Sequence, residues 1–272
     1  MSDVLTGWLE PAFMQRAALV LGLLAPACAA MGTQVIQVRF AFFADAIAHS
    51  AFTGVALGLV LGIHPVATML AFALAVAAAV ITFKSIGHLP TDTVIGVLLS
   101  ASVALGLALV SLTHQTVNFT RYLFGDVLAV TNVEIATAGV LSGAGLAFLF
   151  LCGNRLTLAG LSTDLARAEG VPIRLLETVF ALLLAALVAV SVRFVGALLV
   201  TALLLVPAAA ARQVARSVSG NFWMAIGIGL ASSMMGLYAS YVLDLSTGAS
   251  IILVAFSFFV LCAITGRLRS GR

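Results

Sequence analysis

Along most of this chain the side chains alternate between apolar and polar at neither the helical nor the strand period; they run apolar almost without a break. Stretches free, or nearly free, of Lys, Arg, Asp and Glu cover 17–38, 40–63, 65–83, 93–113, 135–154, 178–211, 217–243 and 245–266. A helix needs about 20 apolar residues to cross a membrane, and no period-two pattern recurs to suggest a β-barrel. His64-Pro65 divides the second stretch from the third, because proline cannot continue a helix interior. The run 178–211 would be about 51 Å long as one helix, against a hydrocarbon core of about 30 Å. It must break, and Arg193–Gly196 is the place, giving a hairpin of two shorter helices. The pattern predicts an all-α polytopic membrane protein with nine transmembrane helices, or eight if that hairpin does not cross fully.

Composition sharpens the class. Of 272 residues, 62% are apolar and only 8% charged, and mean hydropathy is +1.21. A soluble domain carries about 25% charged residues. One transmembrane domain over 1–272 is expected, and its first partner is the lipid bilayer. The N-terminus MSDVLTGWLE has no positive region, so no cleaved signal peptide is expected. Net charge is +3, with no basic cluster of the kind that binds nucleic acid. Cys28, Cys152 and Cys262 lie far apart in apolar runs and form no CxxC pair, which supports neither a disulfide framework nor a thiolate metal site.

The basic residues orient the spans. With the C-terminus in the cytoplasm and nine crossings, Arg39, Lys84, Arg155, Arg167, Arg174, Arg212, Arg216, Arg267, Arg269 and Arg272 all fall inside. Only Arg16, Arg121 and Arg193 lie at the outer side. That asymmetry predicts nine spans with the N-terminus outside.

Two connections stand out. The outer segment 114–134 carries Tyr122 and Phe124, which suit an interface, and its middle, YLFGDVLAV, is apolar enough to dip back into the protein. A plain surface loop is the alternative. In the inner segment 155–177, Ser162 and Thr163 can cap a helix, Asp164 suits its first turn, Gly170 can end it and Pro172 bars continuation. The result is a short cytoplasmic helix around LARAE, with Ala166 and Glu169 on it. It reads as a docking element for a cytoplasmic partner, or as a connector.

Asp45 and His49 are the Asp–His pair at helical spacing inside a span, four residues apart and so on one face. Ionisable groups inside a membrane are costly and face a cavity or a partner. Carboxylate oxygen and neutral imidazole nitrogen both ligate divalent cations such as zinc. Three readings stay open: metal handling, a His49–Asp45 bond that glues helices, and a proton relay. Zinc takes four ligands, so a homodimer with this helix on its two-fold axis would supply the pair twice. Ser50, Gly54, Gly58 and Gly62 follow at spacing four, a stripe of small residues that lets helices approach closely. His64, His88 and His114 lie near span ends or in loops, where a solvated imidazole is expected.

No P-loop is present, for the single lysine, Lys84, has no glycine at the required spacing, and GxSxG and HExxH are absent too. Transport powered by ATP would need a separate hydrolysing subunit. A gradient-driven secondary transporter using Asp45–His49 as a relay belongs to a different class. An intramembrane enzyme has no motif to support it.

Four segments carry a resemblance. FFADAIAHSAFTGVALGL resembles the second-helix signature of ABC permeases for zinc and manganese. LSTDLARAEGVP is similar to that family's cytoplasmic coupling segment, and FVGALLVTALLLVPAAAARQVARS to its late hairpin and exit. RYLFGDVLAV points to the zinc branch, the membrane subunit of high-affinity zinc importers. The resemblance runs in order from about Arg39 to the C-terminus. It implies a homodimeric permease in the bacterial inner membrane, with a fold of the vitamin-B12-importer type. It also implies a cytoplasmic ABC ATPase dimer and an extracytoplasmic metal-binding protein. Zinc, or else manganese or iron, would be the transported ion, with no resident cofactor and no catalytic residue in this chain. The family's metal-coordinating Asp and His fall on Asp45 and His49, and its coupling segment on Ser162 to Gly170. Arg193 stands where relatives often have lysine, and with Gly196 it is expected to form an outer gate.

Overall fold

In the computed structural model, residues 10–86, 89–113, 125 and 127–270 are described. His88, His114, Arg121, Tyr122 and Phe124 therefore lie outside the described residues. The spans are α1 (Ala12–Gln37), α2 (Phe43–Leu61), α3 (Pro65–Ile86), α4 (Thr91–Thr113) and α5 (Asn132–Leu161). A short helix, α6 (Thr163–Ala168), precedes α7 (Ile173–Val195), α8 (Ala197–Val214), α9 (Val218–Leu243) and α10 (Thr247–Ser270). All but α6 are long and apolar enough to cross a membrane, nine helices among the described residues. The hairpin expected within 178–211 is present: α7 and α8 are separate helices that meet at Gly196, and each is long and apolar enough to cross.

Contacts between helix ends show which ends share a side. The Lys84 ammonium at the end of α3 donates to the Glu177 carboxylate at the start of α7, 2.8 Å away. The Gln34 amide near the end of α1 donates to the Thr157 hydroxyl near the end of α5. Arg193 at the end of α7 approaches Glu134 at the start of α5. Gly266 of α10 lies against the Gln213 carbonyl at the end of α8. Each pair joins two ends that strict alternation of nine crossings places on the same side.

Several boundaries differ from those read in the sequence. α5 continues past Arg155 to Leu161, and α7 begins at Ile173, directly after Pro172. An exposed arginine at a helix end keeps its charge in the polar zone while its stem lies along the apolar surface, so it does not stop the helix.

The inner helices are α1, α2, α7 and α8, whereas α3, α4, α5 and α10 expose most of their surface. α1, which carries none of the resembling motifs, is the most enclosed. Its run Ala25, Ala27, Cys28, Ala29, Ala30 is almost fully buried, and neighbouring helices come close. Small residues let helix backbones approach, so contact area builds up where lipid tails would gain as much from a large side chain. Gly32 shows the limit, because a Cβ there would strike the Leu204 carbonyl of α8.

Candidate functional site

α2 starts after a tight turn. Arg39 takes a left-handed backbone (φ 59°), and the Phe40 N–H donates to the Val35 carbonyl. The buried Phe40 ring stacks on Phe43, the first residue of α2, at 5.4 Å between centroids. Asp45 sits in the first turn of α2, where a carboxylate meets the positive end of the helix dipole. Gly54 and Gly58 face α3: a Cβ at Gly54 would lie 2.6 Å from the Met69 Cα, and one at Gly58 would meet Thr68 and Pro65. The Thr53 hydroxyl donates to the Ser102 carbonyl of α4 at 2.7 Å. Ser50 is turned back on its own helix and donates to the Ala46 carbonyl.

Gly62 needs a correction. It does not extend the packing stripe, for a Cβ there would find nothing within 4 Å. It terminates α2 in a left-handed conformation (φ 66°), its N–H donating to the Gly58 carbonyl. Spacing of four continues arithmetically past the point where the helix has ended.

Asp45, His49 and Phe52 form a half-buried strip on the face of α2 roughly opposite Gly54 and Gly58, between fully buried neighbours such as Ala46, Ile47 and Ala48. No hydrogen bond or ion pair links Asp45 to His49 within the described residues, so the pair does not consume its own ligand atoms. Among the described residues no group of three His, Cys, Asp or Glu side chains converges. One chain thus offers one carboxylate and one imidazole here, half of what tetrahedral zinc takes. His64 is exposed at the start of α3.

The segment 162–170 lies at the opposite end of α7 from Arg193. Ser162 caps α6, its hydroxyl accepting from the Leu165 N–H, and Asp164 occupies the first turn. At the other end the Glu169 and Gly170 N–H groups donate to Leu165 and Arg167 carbonyls, and Gly170 turns left-handed (φ 70°). Ala166 is fully buried, while Leu165 projects outward, 58% exposed. α6 borders a cleft of about 700 Å³ whose walls include Ile81, Lys84, Thr163, Arg167, Pro172 and Glu177. Sequence reading missed Leu165; its signal was an apolar residue within an otherwise capped, polar turn.

At the other end, Gly196 (φ 88°) separates α7 from α8. Gly125 (φ 61°) lies on that junction, so that any Cβ would collide with Val195 and Gly196 backbone. Val127 and Val130 beyond it are buried in the core. The apolar middle of the 114–134 segment therefore does turn back into the protein over its described part, and it holds the α7–α8 break. Its glycine is legible as a turn residue, but its contact with residues 70 positions later is not.

Nine helices of membrane-crossing length among the described residues, a half-buried Asp–His pair on an inner helix and a capped short helix at one end define a multi-pass membrane protein. The chain belongs to the ABC 3 transport family, whose pattern matches residues 10–266. The "High-affinity zinc uptake system membrane protein ZnuB" of Haemophilus influenzae is 32% identical over 86% of this chain and 90% of its own length. The "Manganese transport system membrane protein MntC" of Listeria innocua is 28% identical over 94% of this chain and 91% of its own. The solved structure of PsaBC from Streptococcus pneumoniae in complex with Fab shares the fold with a TM-score of 0.82 at 27% identity, covering 96% of this chain and 94% of that one. With its nine apolar helices the chain is a multi-pass protein of the bacterial inner membrane.

Proposed function

We propose that two copies of this chain form the membrane path of an ATP-driven importer that moves zinc into the cytoplasm. The observation that carries this reading is the strip on α2: Asp45 and His49 share one partly open face and leave their ligand atoms unbonded to each other. A second copy meeting this strip completes a site of two carboxylates and two imidazoles for the passing ion. Such a site binds through borderline ligands and lets the ion go, where thiolates would hold it. The carboxylates also offset the ion's double charge in a low-dielectric path. A separate ATPase dimer docks at the cleft beside α6, with Leu165 as its apolar contact. An extracytoplasmic metal-binding protein delivers the ion at the end where Gly125 rests on the Val195–Gly196 break, the outer gate.

The test is radioactive zinc uptake into vesicles holding the assembled complex. Asp45→Asn keeps the size and removes the charge; His49→Phe keeps a ring and removes the ligand. Each abolishes uptake while the subunit count stays normal. Near-normal uptake by both variants overturns the reading, and loss of assembly in both makes the pair structural. The 28% identical manganese relative supports a second cargo from the same ligands; uptake of manganese in preference to zinc in the same vesicles decides for it.

A further inference from the structure

On the membrane-facing surface, α3, α5 and α7 enclose a groove of about 780 Å³, within the roughly 300–1,000 Å³ range of ligand-sized clefts. Its walls include Val66, Met69, Val133, Val140, Val190 and Phe194. Val133 and Val140 are each 72% exposed, so the groove opens sideways toward lipid. Along α5 it extends from Asn132 to Leu141, about 14 Å at 1.5 Å per residue, close to half of a hydrocarbon core about 30 Å thick. It has the depth of one leaflet. No residue of α2, the helix that would meet a second copy, lines it.

The end of the groove at the leaflet's polar edge carries two opposite charges. The Arg193 guanidinium, 47% exposed, lies 3.7 Å from Glu134 Oε1, too long for a hydrogen bond. The other carboxylate oxygen, Oε2, is already engaged, accepting from the Thr131 N–H and hydroxyl at 2.9 Å each in the capping box of α5. Oε1 accepts no hydrogen bond, and Arg193 donates none, among the described residues. A cation and an anion thus stand side by side at the mouth of a one-leaflet apolar channel, each with bonding capacity unspent among the described residues.

We propose that this groove holds a phosphatidylethanolamine molecule, one acyl chain in the channel, its phosphate on Arg193 and its ammonium on Glu134 Oε1. The charge pattern selects this headgroup. A guanidinium fork binds phosphate oxygens two at a time. The carboxylate beside it repels a headgroup that is only anionic, such as phosphatidylglycerol. Choline carries no N–H to donate to Oε1. Arg193 lies three residues before Gly196, so the bound headgroup braces the α7–α8 break.

The experiment reconstitutes the full chain in nanodiscs of equal phosphatidylethanolamine, phosphatidylglycerol and phosphatidylcholine, and counts retained lipids by native mass spectrometry. The wild type retains phosphatidylethanolamine selectively. Arg193→Gln, and Val140→Trp, which fills the groove, each lower that selectivity about tenfold, the size of one charge-assisted bond. Glu134→Gln, which can keep the capping box, removes the preference over phosphatidylglycerol. Leu151→Trp, exposed on α5 outside the groove, changes nothing. Arg193→Lys, which keeps the charge and loses the fork, retains an intermediate selectivity, separating a binding defect from misfolding. Equal retention of all three lipids, a preference for phosphatidylglycerol, or selectivity indifferent to Arg193→Gln and Val140→Trp overturns the proposal. So does an Arg193→Gln variant that loses only its affinity for an extracytoplasmic protein. None of these readouts depends on zinc transport, so the proposal and the transport reading fail separately.

Discussion

A glycine's cost of replacement depends on which of two demands it answers, and this chain holds both kinds. Gly62 is left-handed with open space around it. Gly62→Ala is expected to cost about 1 kcal/mol of backbone strain and little else. Gly32 has an ordinary helical backbone, but a Cβ there would strike the Leu204 carbonyl on α8. Gly32→Ala is expected to cost about 3 kcal/mol or more, because backbone in two packed inner helices cannot yield as a side chain can. Thermal aggregation of the two detergent-purified variants checks this: Gly62→Ala melts near the wild type, Gly32→Ala well below it. Equal losses would mean that α1 and α8 are not packed as described. At this scale Asp45 and His49 were legible as an isolated polar pair in an apolar run. That they do not bond to each other was not, since spacing gives a common face but no side-chain geometry.

Among the elements, α6 was the most readable. Its cap, first-turn acid and terminal glycine are local signals, and each took the expected backbone form. Gly170→Val forces a β-branched residue into the left-handed region, which only glycine occupies freely. If α6 docks the ATPase, this variant loses co-purification with that subunit and its stimulated hydrolysis; unchanged assembly and stimulation would remove α6 from that role. The α7–α8 break was read from length, since one helix could not fit the bilayer, and its place from Arg193 and Gly196. If it faces outward, single cysteines placed at 193 and 196 in a background lacking Cys28, Cys152 and Cys262 react with an impermeant thiol reagent applied outside. Labelling from the cytoplasmic side only would reverse the topology. What length could not reveal is that Gly125 rests on the break, for that contact joins segments with no common sequence pattern.

For the whole molecule, the proposed transport site takes two ligands, Asp45 and His49, from each of two copies for an ion that takes four, and this makes association testable. In the same cysteine-free background, a single cysteine replacing Phe52, on the strip with Asp45 and His49, is expected to crosslink two copies with a short bifunctional thiol reagent. Efficient crosslinking from Leu151 instead, with none from position 52, would put the partner on the wrong face and leave the shared site without support.

The apolar spans and their approximate limits, the capped connector and the polar pair were legible in the sequence, with nine crossings or eight left open, because a bilayer imposes a length and a solubility on every segment independently of its neighbours. Which spans lie inside was settled by tertiary structure alone. In water, hydrophobicity separates core from surface; in lipid both environments are apolar, and hydropathy falls silent. α10 is more hydropathic than α1 yet lies at the periphery, whereas α1 is enclosed. The difference lies in the fit of small residues against particular backbones, Gly32 on Leu204 and Gly54 on Met69. Such a fit exists only once two helices share a place and an angle, and no single segment of sequence contains it.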